Sequence, residues 1–271
     1  MHESDNVFDG SVPRLYDNYL VPLIFEPYAA DIVNRLKSLR LSRVLEVACG
    51  SGVVTRAMAS ALDPEVEITA TDFNQAMLDY AAAKPGTRAM SWRCADAMTL
   101  PFDDGMFDAV VCQFGVMFFP DKPKCFSEAK RVLRKGGTFL FNVWDRIEEN
   151  EFADLVTTSL ESVFPDDPPR FLARTPHGYH DLSVIQADLE KAGFHGQWRV
   201  ETVPARSRAE SSRIPAIAYC QGTPLRNEIE ARDASRLSEA TDTAAGAIAA
   251  KYGPGEVDGK IQAHVIVAFC D

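Results

Sequence analysis

Between residues 43 and 144, short runs of apolar residues alternate with segments in which apolar residues recur at helical spacing. The apolar runs predict five strands, at residues 44–48, 67–71, 89–94, 109–114 and 138–144. Helices are predicted at residues 53–62, 74–83 and 124–133, with Asn74 as an N-cap, and a turn at residues 135–137. Such alternation is typical of an α/β fold with a doubly wound parallel sheet. The run at 109–114 is almost wholly apolar, which favours a central strand covered on both faces.

The second half of the chain has a different pattern, with longer helical segments and only two further strands. Helical spacing occurs at residues 148–164, 182–192, 214–219, 225–231 and 235–251, and residues 165–176 form a proline-rich loop. Strands are predicted at residues 197–203 and 264–270, the last one antiparallel. We therefore expect a single domain over residues 1–271, with a seven-stranded, mostly parallel core at about 40–145, 181–206 and 255–271. Helical lid segments are expected at about 1–31, 146–180 and 207–252.

The most informative motif is the sequence VLEVACGSG at residues 44–52, which leads directly into a helical pattern. Glycines at a strand-to-helix turn let a ligand approach the backbone, although such turns also occur without a ligand. Asp72 follows the next strand about 20 residues later, where a carboxylate can accept hydrogen bonds from ribose hydroxyls. Taken alone, Asp72 is also compatible with a solvated aspartate at a strand end.

Two residues around this turn distinguish between nucleoside cofactors. A dinucleotide fingerprint requires a third glycine for close helix packing, and Thr55 occupies that position. Glu46 lies inside the preceding strand, where its carboxylate would repel a pyrophosphate but attract the α-ammonium of a methionine moiety. The residues therefore favour S-adenosylmethionine (SAM) over NAD.

At this point the chain resembles a known family. Residues 45–52 (LEVACGSG) closely resemble motif I of class I SAM-dependent methyltransferases. Further segments resemble that family's later motifs in the same order, at residues 72–78 (DFNQAML), 94–97 (CADA), 100–102 (LPF), 107–111 (FDAVV) and 131–137 (RVLRKGG). The resemblance spans about residues 43–144 and is greatest to the small-molecule branch that includes ubiquinone/menaquinone-biosynthesis methyltransferases. One departure is Ala48, since that branch often has glycine there.

The resemblance implies a Rossmann-like fold, SAM as cofactor, S-adenosylhomocysteine as product, and a set of cofactor-binding residues. The implied set is Glu46, Ala48, Cys49, Gly50 and Gly52 at the methionine moiety, Asp72, Phe73 and Met77 at the ribose and adenine, Asp96 and Ala97 at the adenine edge, and Gln113 and Phe114 beside the sulfonium. Two of these have plain structural alternatives, because Asp96 also suits a loop near Pro101 and Phe114 also suits core packing.

A methyl group on a sulfonium is already activated, so a general base is optional and alignment of the acceptor is essential. The catalytic candidates are His177, His180 and Tyr16, each of which is also compatible with packing or a surface position. Apolar and aromatic residues in the lid segments suggest a small, apolar or aromatic acceptor, methylated on oxygen, nitrogen or carbon. The same residues are equally compatible with the core of the lid.

The formal net charge of −11 disfavours binding to a nucleic-acid backbone. There is no visible signal peptide and no apolar run long enough to span a membrane, so we expect a cytoplasmic protein, monomeric or homodimeric. The six scattered cysteines are expected to be reduced and mostly buried, and no metal site is expected. Two alternatives stay open: an NAD(P)-dependent oxidoreductase, and a SAM-binding protein that does not methylate.

Overall fold

The structure is a computed structural model that describes residues 12–85 and 89–271. Residues 1–11 of the predicted N-terminal lid segment and residues 86–88 of the predicted core lie outside the described residues. No helix in the described part of the chain is long and apolar enough to cross a membrane.

Seven strands form one sheet in the order β3-β2-β1-β4-β5-β7-β6. Their bounds are β1 Arg43–Val47, β2 Glu67–Asp72, β3 Ser91–Cys94, β4 Phe107–Gln113, β5 Leu133–Trp144, β6 Trp198–Ala209 and β7 Val257–Phe269. The pairs β1–β2, β2–β3, β1–β4 and β4–β5 are parallel, with Val44 opposite both Ile68 and Ala109. β7 runs antiparallel to β5, because Gly136 N–H donates to Cys270 O near one end of the pair and Asp145 N–H donates to Gln262 O near the other. The predicted mostly parallel, seven-stranded sheet is thus confirmed.

Eleven α-helices, one π-helix and short 3₁₀ turns connect the strands within the described residues. The helices are α1 Val12–Leu15, α2 Glu26–Leu36, α3 Val53–Ala61, α4 Gln75–Ala82, α5 Lys122–Val132, α6 Glu151–Ser159, α7 Phe171–Arg174, α8 Leu182–Lys191, α9 Arg213–Gly222, α10 Leu225–Asp233 and α11 Leu237–Tyr252, with the π-helix at Tyr16–Phe25. Asn74 caps α4 as predicted, because its side-chain oxygen accepts from the N–H groups of Ala76 and Met77.

Alternation of side chains along the central strands explains why both faces of the sheet are covered. On one face, Leu140 of β5 joins a buried cluster with residues of α2 and α3, among them Ile32 and Val54. On the other face, the neighbouring Phe139 and Phe141 contact Phe126 of α5. Successive residues of a strand point to opposite faces, so one apolar run supplies both cores.

The chain divides into two compact units. Within the described residues, the sheet unit comprises residues 27–143, His180–Val203 and His264–Asp271, and the helical unit comprises residues 12–26, Trp144–Tyr179 and Pro204–Ala263. Within the helical unit, α9 packs against α11 and against the π-helix, and α6 packs against α11. The single-domain organisation with lid segments stays a prediction.

Several predicted elements differ from the structure for identifiable reasons. Residues 135–137 do not form a turn but lie inside β5, where the register against β4 shifts between Phe107 and Ala109. The proline-rich loop contains the short helix α7, because the Glu228 carboxylate accepts the N–H groups of Arg170 and Phe171 at its start. The last two strands extend well beyond residues 197–203 and 264–270 because they pair with each other.

Candidate cofactor site

The predicted cofactor residues all belong to the sheet unit and follow the carboxyl ends of four neighbouring parallel strands. Residues 46–52 lie at the end of β1, residues 72–77 at the end of β2, residues 96–97 after β3 and residues 113–114 at the end of β4. Because parallel strands end at the same edge of a sheet, chain segments far apart in sequence are brought to one side.

The loop after β1 bends through three left-handed residues, Ala48, Gly50 and Gly52, with φ angles of 56°, 54° and 79°. At Gly52 a side chain would also meet the Trp92 ring, since a Cβ atom would lie 3.0 Å from it. Gly52 is therefore required both by its backbone angle and by close packing at the start of α3. Ala48 takes up the same left-handed conformation with a side chain, which explains why the family often has glycine at this position.

Asp72 ties the loop after β1 to the loop after β2. Its Oδ2 accepts the N–H of Gly50 at 2.8 Å and its Oδ1 accepts the N–H of Asn74 at 2.8 Å. Burial raises the pKa of Asp72, and these backbone hydrogen bonds partly offset that effect. The backbone N–H of Phe73 also hydrogen-bonds this carboxylate, and about four acceptor sites are available on its two oxygens. The group is therefore held in place and can still accept a hydrogen bond from a ligand.

Glu46 is a buried carboxyl group, with only 1% of the residue exposed. Its Oε2 accepts a hydrogen bond from the Thr55 hydroxyl at 2.5 Å. Burial raises the pKa of Glu46 to about 8, while the Thr55 hydroxyl acts in the opposite direction. Once it is ionised, this carboxyl group would attract a cation and repel a pyrophosphate.

Phe73 is the most exposed large apolar residue among those described, at 68%. It directly follows Asp72 at the end of β2, and its carbonyl group lies 3.5 Å from the Cys94 thiol at the end of β3. Half-buried Asp96 lies just beyond, with Oδ1 accepting the N–H of Met98 at 2.8 Å. An aromatic ring open to solvent at the end of a strand is suited to stacking on a flat heterocycle.

Other predicted residues are part of the packed core. Cys49 and Met77 are buried at 5% and 3% exposure. Phe114 is buried as well, and its ring lies edge-on to the ring of Tyr28 with centroids 5.2 Å apart. The Phe114 side chain is thus packed against Tyr28, while its backbone lies at the end of β4 beside half-buried Gln113. Its place beside the sulfonium stays a prediction.

The three catalytic candidates are divided between the two units. Tyr16 and His177 belong to the helical unit, where the Tyr16 ring stacks on Phe25 and His177 Nδ1 lies 2.9 Å from the carbonyl oxygen of Asp145. His180 belongs to the sheet unit and immediately precedes Asp181, the N-cap of α8.

Three polar residues of the sheet unit were not identified from the sequence as parts of the site. From the sequence, Thr55 was only an argument against a dinucleotide site, but its hydroxyl donates a hydrogen bond to the Glu46 carboxylate. Ser51 has a buried hydroxyl without a partner among the described residues, and Asn142 of β5 accepts the N–H of Phe114. Only Ser51, which lies inside the glycine turn, could have been suspected from the sequence, because Thr55 and Asn142 act through residues 9 and 28 positions away.

The residues at this edge fit SAM. They include a fixed carboxylate suited to a ribose diol, an open aromatic ring suited to an adenine, a buried acid suited to an ammonium group, and the buried Ser51 hydroxyl in the loop itself. The described residues contain no group of three or more His, Cys, Asp or Glu side chains arranged for a metal ion.

Comparison with known proteins agrees with this assignment. The family profile described as a methyltransferase domain matches residues 45–141. The ubiquinone/menaquinone biosynthesis C-methyltransferase UbiE of Burkholderia mallei is 30% identical, over 56% of this chain and 67% of the relative. These matches favour methyl transfer over NAD(P)-dependent oxidoreduction.

Two solved structures share the fold at lower identity. Phosphoethanolamine N-methyltransferase 2 of Haemonchus contortus, solved with phosphomonomethylethanolamine and S-adenosylhomocysteine, is 19% identical, with a TM-score of 0.53 over 90% of this chain and 52% of that chain. The [4+2]-cyclase SpnF is 18% identical, with a TM-score of 0.55 over 90% of this chain and 81% of that chain. The sequence matches, the strand order and the site residues together lead to one conclusion: this chain belongs to the class I SAM-dependent methyltransferases.

Proposed function

We propose that this enzyme transfers the methyl group of SAM to a small apolar or aromatic metabolite. The observation that carries the proposal is that Asp72 and Phe73 stand next to each other at the end of β2. A carboxylate held by two backbone N–H groups stands next to an aromatic ring that is 68% exposed. A nucleoside needs both a partner for its ribose hydroxyls and a surface for its base.

Each predicted cofactor residue has a role in this proposal. Asp72 accepts hydrogen bonds from the ribose hydroxyls, and the Phe73 ring lies against the adenine. Glu46 neutralises the α-ammonium of the methionine moiety. The backbone of the loop after β1 also contacts this moiety. The remaining contacts are assigned to Asp96 and Ala97 at the adenine edge, Met77 beneath the ribose-binding turn, and Gln113 and Phe114 near the sulfonium.

Bound SAM supplies a methyl group that is activated by its attachment to a sulfonium. The protein's contribution is to orient the acceptor in line with the sulfur–methyl bond and to exclude water. The relatives named for ubiquinone and menaquinone biosynthesis make an aromatic carbon acceptor a reasonable first class to test.

His177 is the catalytic candidate whose surroundings best suit a general base. A carbonyl oxygen only accepts hydrogen bonds, so the contact with Asp145 O places the proton of the neutral imidazole on Nδ1 and the lone pair on Nε2. The ring is buried and lies 5.9 Å from that of Trp144. We propose that Nε2 accepts a proton from an acceptor that carries a hydroxyl or amine group.

Calorimetric titration with SAM, S-adenosylhomocysteine and NADH tests the cofactor assignment. We expect binding of both adenosyl ligands, loss of that binding in Asp72→Ala, and no binding of NADH. Phe73→Ala should weaken binding by roughly ten- to a hundredfold, because aromatic stacking on a base contributes about 1–3 kcal/mol. The matched control is Asp79→Ala, which removes an exposed aspartate from α4 and should leave affinity unchanged. Binding of NADH in place of the adenosyl ligands would overturn the assignment.

An acceptor screen with methyl-labelled SAM tests the second half of the proposal. Phenols and hydroquinones should be methylated in preference to aliphatic amines. For a hydroxyl acceptor, His177→Gln should reduce the rate by about a hundredfold or more, the usual contribution of a positioned base. His180→Gln is the control and should have little effect. Equal rates for wild type and His177→Gln across the neutral pH range would remove His177 from the mechanism.

The absence of a nucleic-acid partner and the monomeric or homodimeric state remain predictions. Size-exclusion chromatography with light scattering would establish the assembly directly.

A further inference from the structure

Asn142 lies inside β5, directly opposite Gln113 in the register of β4 and β5. Its side chain is fully buried, with 0% of the residue exposed. The side-chain Oδ1 accepts the backbone N–H of Phe114 at 2.9 Å. This hydrogen bond holds the backbone of Phe114, which is the first residue after β4 and one of the residues proposed to bind the cofactor.

The corner held by this hydrogen bond is conformationally demanding. Phe114 has a φ angle of 51°, a left-handed conformation that residues with a side chain seldom adopt. The next residue, Gly115, is pressed against the loop after β1, because a methyl group there would lie 2.6 Å from Cβ of Ala48. The N–H of Phe114 therefore needs a buried acceptor, and Asn142 is the residue that supplies it.

The other half of the same amide has no such partner. Asn142 Nδ2 is buried and makes no hydrogen bond to any residue in the described part of the chain. The orientation of the amide is determined, because an N–H donor at Phe114 requires the oxygen to face it. A buried NH₂ group without a protein partner is unusual, since nearly all buried donors in folded proteins are paired.

We propose that Asn142 is a further positioning and binding residue of the cofactor site. Its Oδ1 holds the left-handed corner at Phe114, and its Nδ2 donates a hydrogen bond to a polar atom of the bound adenosyl cofactor. The inference rests on the proposed function. The cofactor is the favoured partner because Asn142 belongs to the same unit as the proposed cofactor residues. It lies opposite Gln113 in the sheet and accepts a hydrogen bond from the backbone of Phe114, two of those residues.

Asn150 provides a matched control in the same chain. It is also a buried asparagine, with 1% exposure, and its Oδ1 also accepts a backbone N–H, that of Gln262 at 3.1 Å. Its Nδ2, however, is satisfied by protein, with carbonyl oxygens of Asp145, Arg146 and Gln262 at 3.2–3.3 Å. Replacing either asparagine by aspartate keeps an acceptor for the backbone N–H and removes the NH₂ donor.

The first experiment titrates S-adenosylhomocysteine into wild type, Asn142→Asp, Asn142→Leu and Asn150→Asp. We expect Asn142→Asp to lose about tenfold in affinity, the value of one hydrogen bond, and Asn142→Leu to lose more because the corner is also released. Asn150→Asp should bind like wild type even if it is less stable. Affinity of Asn142→Asp within twofold of wild type, or an equal loss in Asn150→Asp, would overturn the proposal.

The second experiment does not depend on the stability of a variant. In ¹⁵N spectra of the wild-type protein, the side-chain NH₂ resonances of Asn142 should shift when S-adenosylhomocysteine is added, while those of Asn150 stay in place. Resonances of Asn142 that do not move, in a protein whose Gly50 amide does move, would show that the ligand binds without this contact. If wild type binds no adenosyl ligand, the proposed function itself fails, and the inference fails with it.

Discussion

The Thr55 hydroxyl donates a hydrogen bond to Oε2 of Glu46 at 2.5 Å, and both residues are buried. Thr55 lies in the first turn of α3 and Glu46 inside β1, so the contact spans the glycine turn between them. The hydroxyl favours the ionised carboxyl group, and burial favours the neutral one. The balance between these two effects sets the charge that a cofactor ammonium group would meet.

The affinity for SAM should depend on pH through this pair. In the cofactor-free protein the pKa of Glu46 is about 8, so at neutral pH the carboxyl group must lose a proton to pair with an ammonium group. Affinity should therefore rise as pH increases towards about 8. Thr55→Val removes the hydroxyl that favours ionisation, so the rise should move to higher pH and affinity at neutral pH should fall.

Thr71→Val is the control for that measurement. It removes another buried threonine hydroxyl, one that donates to the backbone carbonyl of Glu46 at 3.0 Å and not to its carboxylate. Titration calorimetry of the three proteins in buffers of different ionisation enthalpy would report the proton released on binding. The same pH profile for Thr55→Val and Thr71→Val would contradict the role given to Thr55. The ligand's own titration is common to all three proteins and cancels.

Glu46 should make the cofactor-free protein less stable as the pH rises from about 4.5 to about 8. The pKa of this carboxyl group is about 8 in the folded state and near its ordinary value of 4.5 in the unfolded state. Between these two pH values the group is protonated in the folded state and ionised in the unfolded state. Because the folded state then binds more protons, stability falls over this window, by at most about 1.4 kcal/mol per pH unit for this group. Glu46→Gln should flatten the dependence seen in urea unfolding, leaving the part due to the raised pKa of Asp72. A slope unchanged by the substitution would mean that Glu46 is ionised in the folded protein.

We expect that Gly115 cannot be replaced without loss of stability by a residue that has a side chain, as long as residue 48 is alanine. A methyl group at Gly115 would lie 2.6 Å from Cβ of Ala48 and 2.7 Å from Sγ of Cys112, so Gly115→Ala should cost about 1–3 kcal/mol of unfolding free energy. Ala48→Gly removes one of these contacts, and the double variant should lose less than the sum of the two single variants. A double-mutant cycle by urea unfolding measures this coupling.

Gly246→Ala provides a control of opposite sign for the same assay. Gly246 lies in α11 with open space around its Cβ position, so alanine there should stabilise the helix by up to about 1 kcal/mol. Strict additivity of Gly115→Ala and Ala48→Gly would show that the two loops do not press on each other.

Glu228 should stabilise the start of α7 within the helical unit. Its carboxylate accepts the N–H groups of Arg170 and Phe171 at 2.8 and 3.2 Å and pairs with Arg174 at 2.6 Å. Glu228→Gln should destabilise this segment by about 1–3 kcal/mol, because it weakens several partly buried hydrogen bonds at once. Faster hydrogen exchange at the Arg170 and Phe171 amides would report the effect locally.

Glu230→Gln is the corresponding control on the same helix. Among the described residues, the pair given for Glu230 is with Arg226, four residues earlier on a partly exposed face, so its loss should cost at most about 0.5 kcal/mol. Equal exchange rates in the two variants would exclude Glu228 as the residue that holds α7.

Elements of the parallel half of the sheet could be predicted from the sequence because their causes are local. An apolar run followed by helical spacing identified β1, α3, β2 and α4 to within a few residues, and Asn74 was identified as a cap from its position alone. Long-range pairing was not accessible in the same way. The strands β6 and β7 extend past their apolar runs because each supplies hydrogen-bond partners to the other, and α7 begins where Glu228, 57 residues later, accepts its N–H groups.

The sequence by itself determined the α/β class, the methyltransferase family and the strand ends where the proposed cofactor residues lie, because hydrophobic period, glycine turns and strand-end acids are properties of short segments. Only the tertiary structure decided which side chains complete that edge. The hydrogen bond from Phe114 to Asn142 joins residues 28 positions apart through the register of β4 and β5, and the left-handed Ala48 meets Gly115 across two loops. Both contacts depend on how separate strands align, and no local pattern in either segment specifies that alignment.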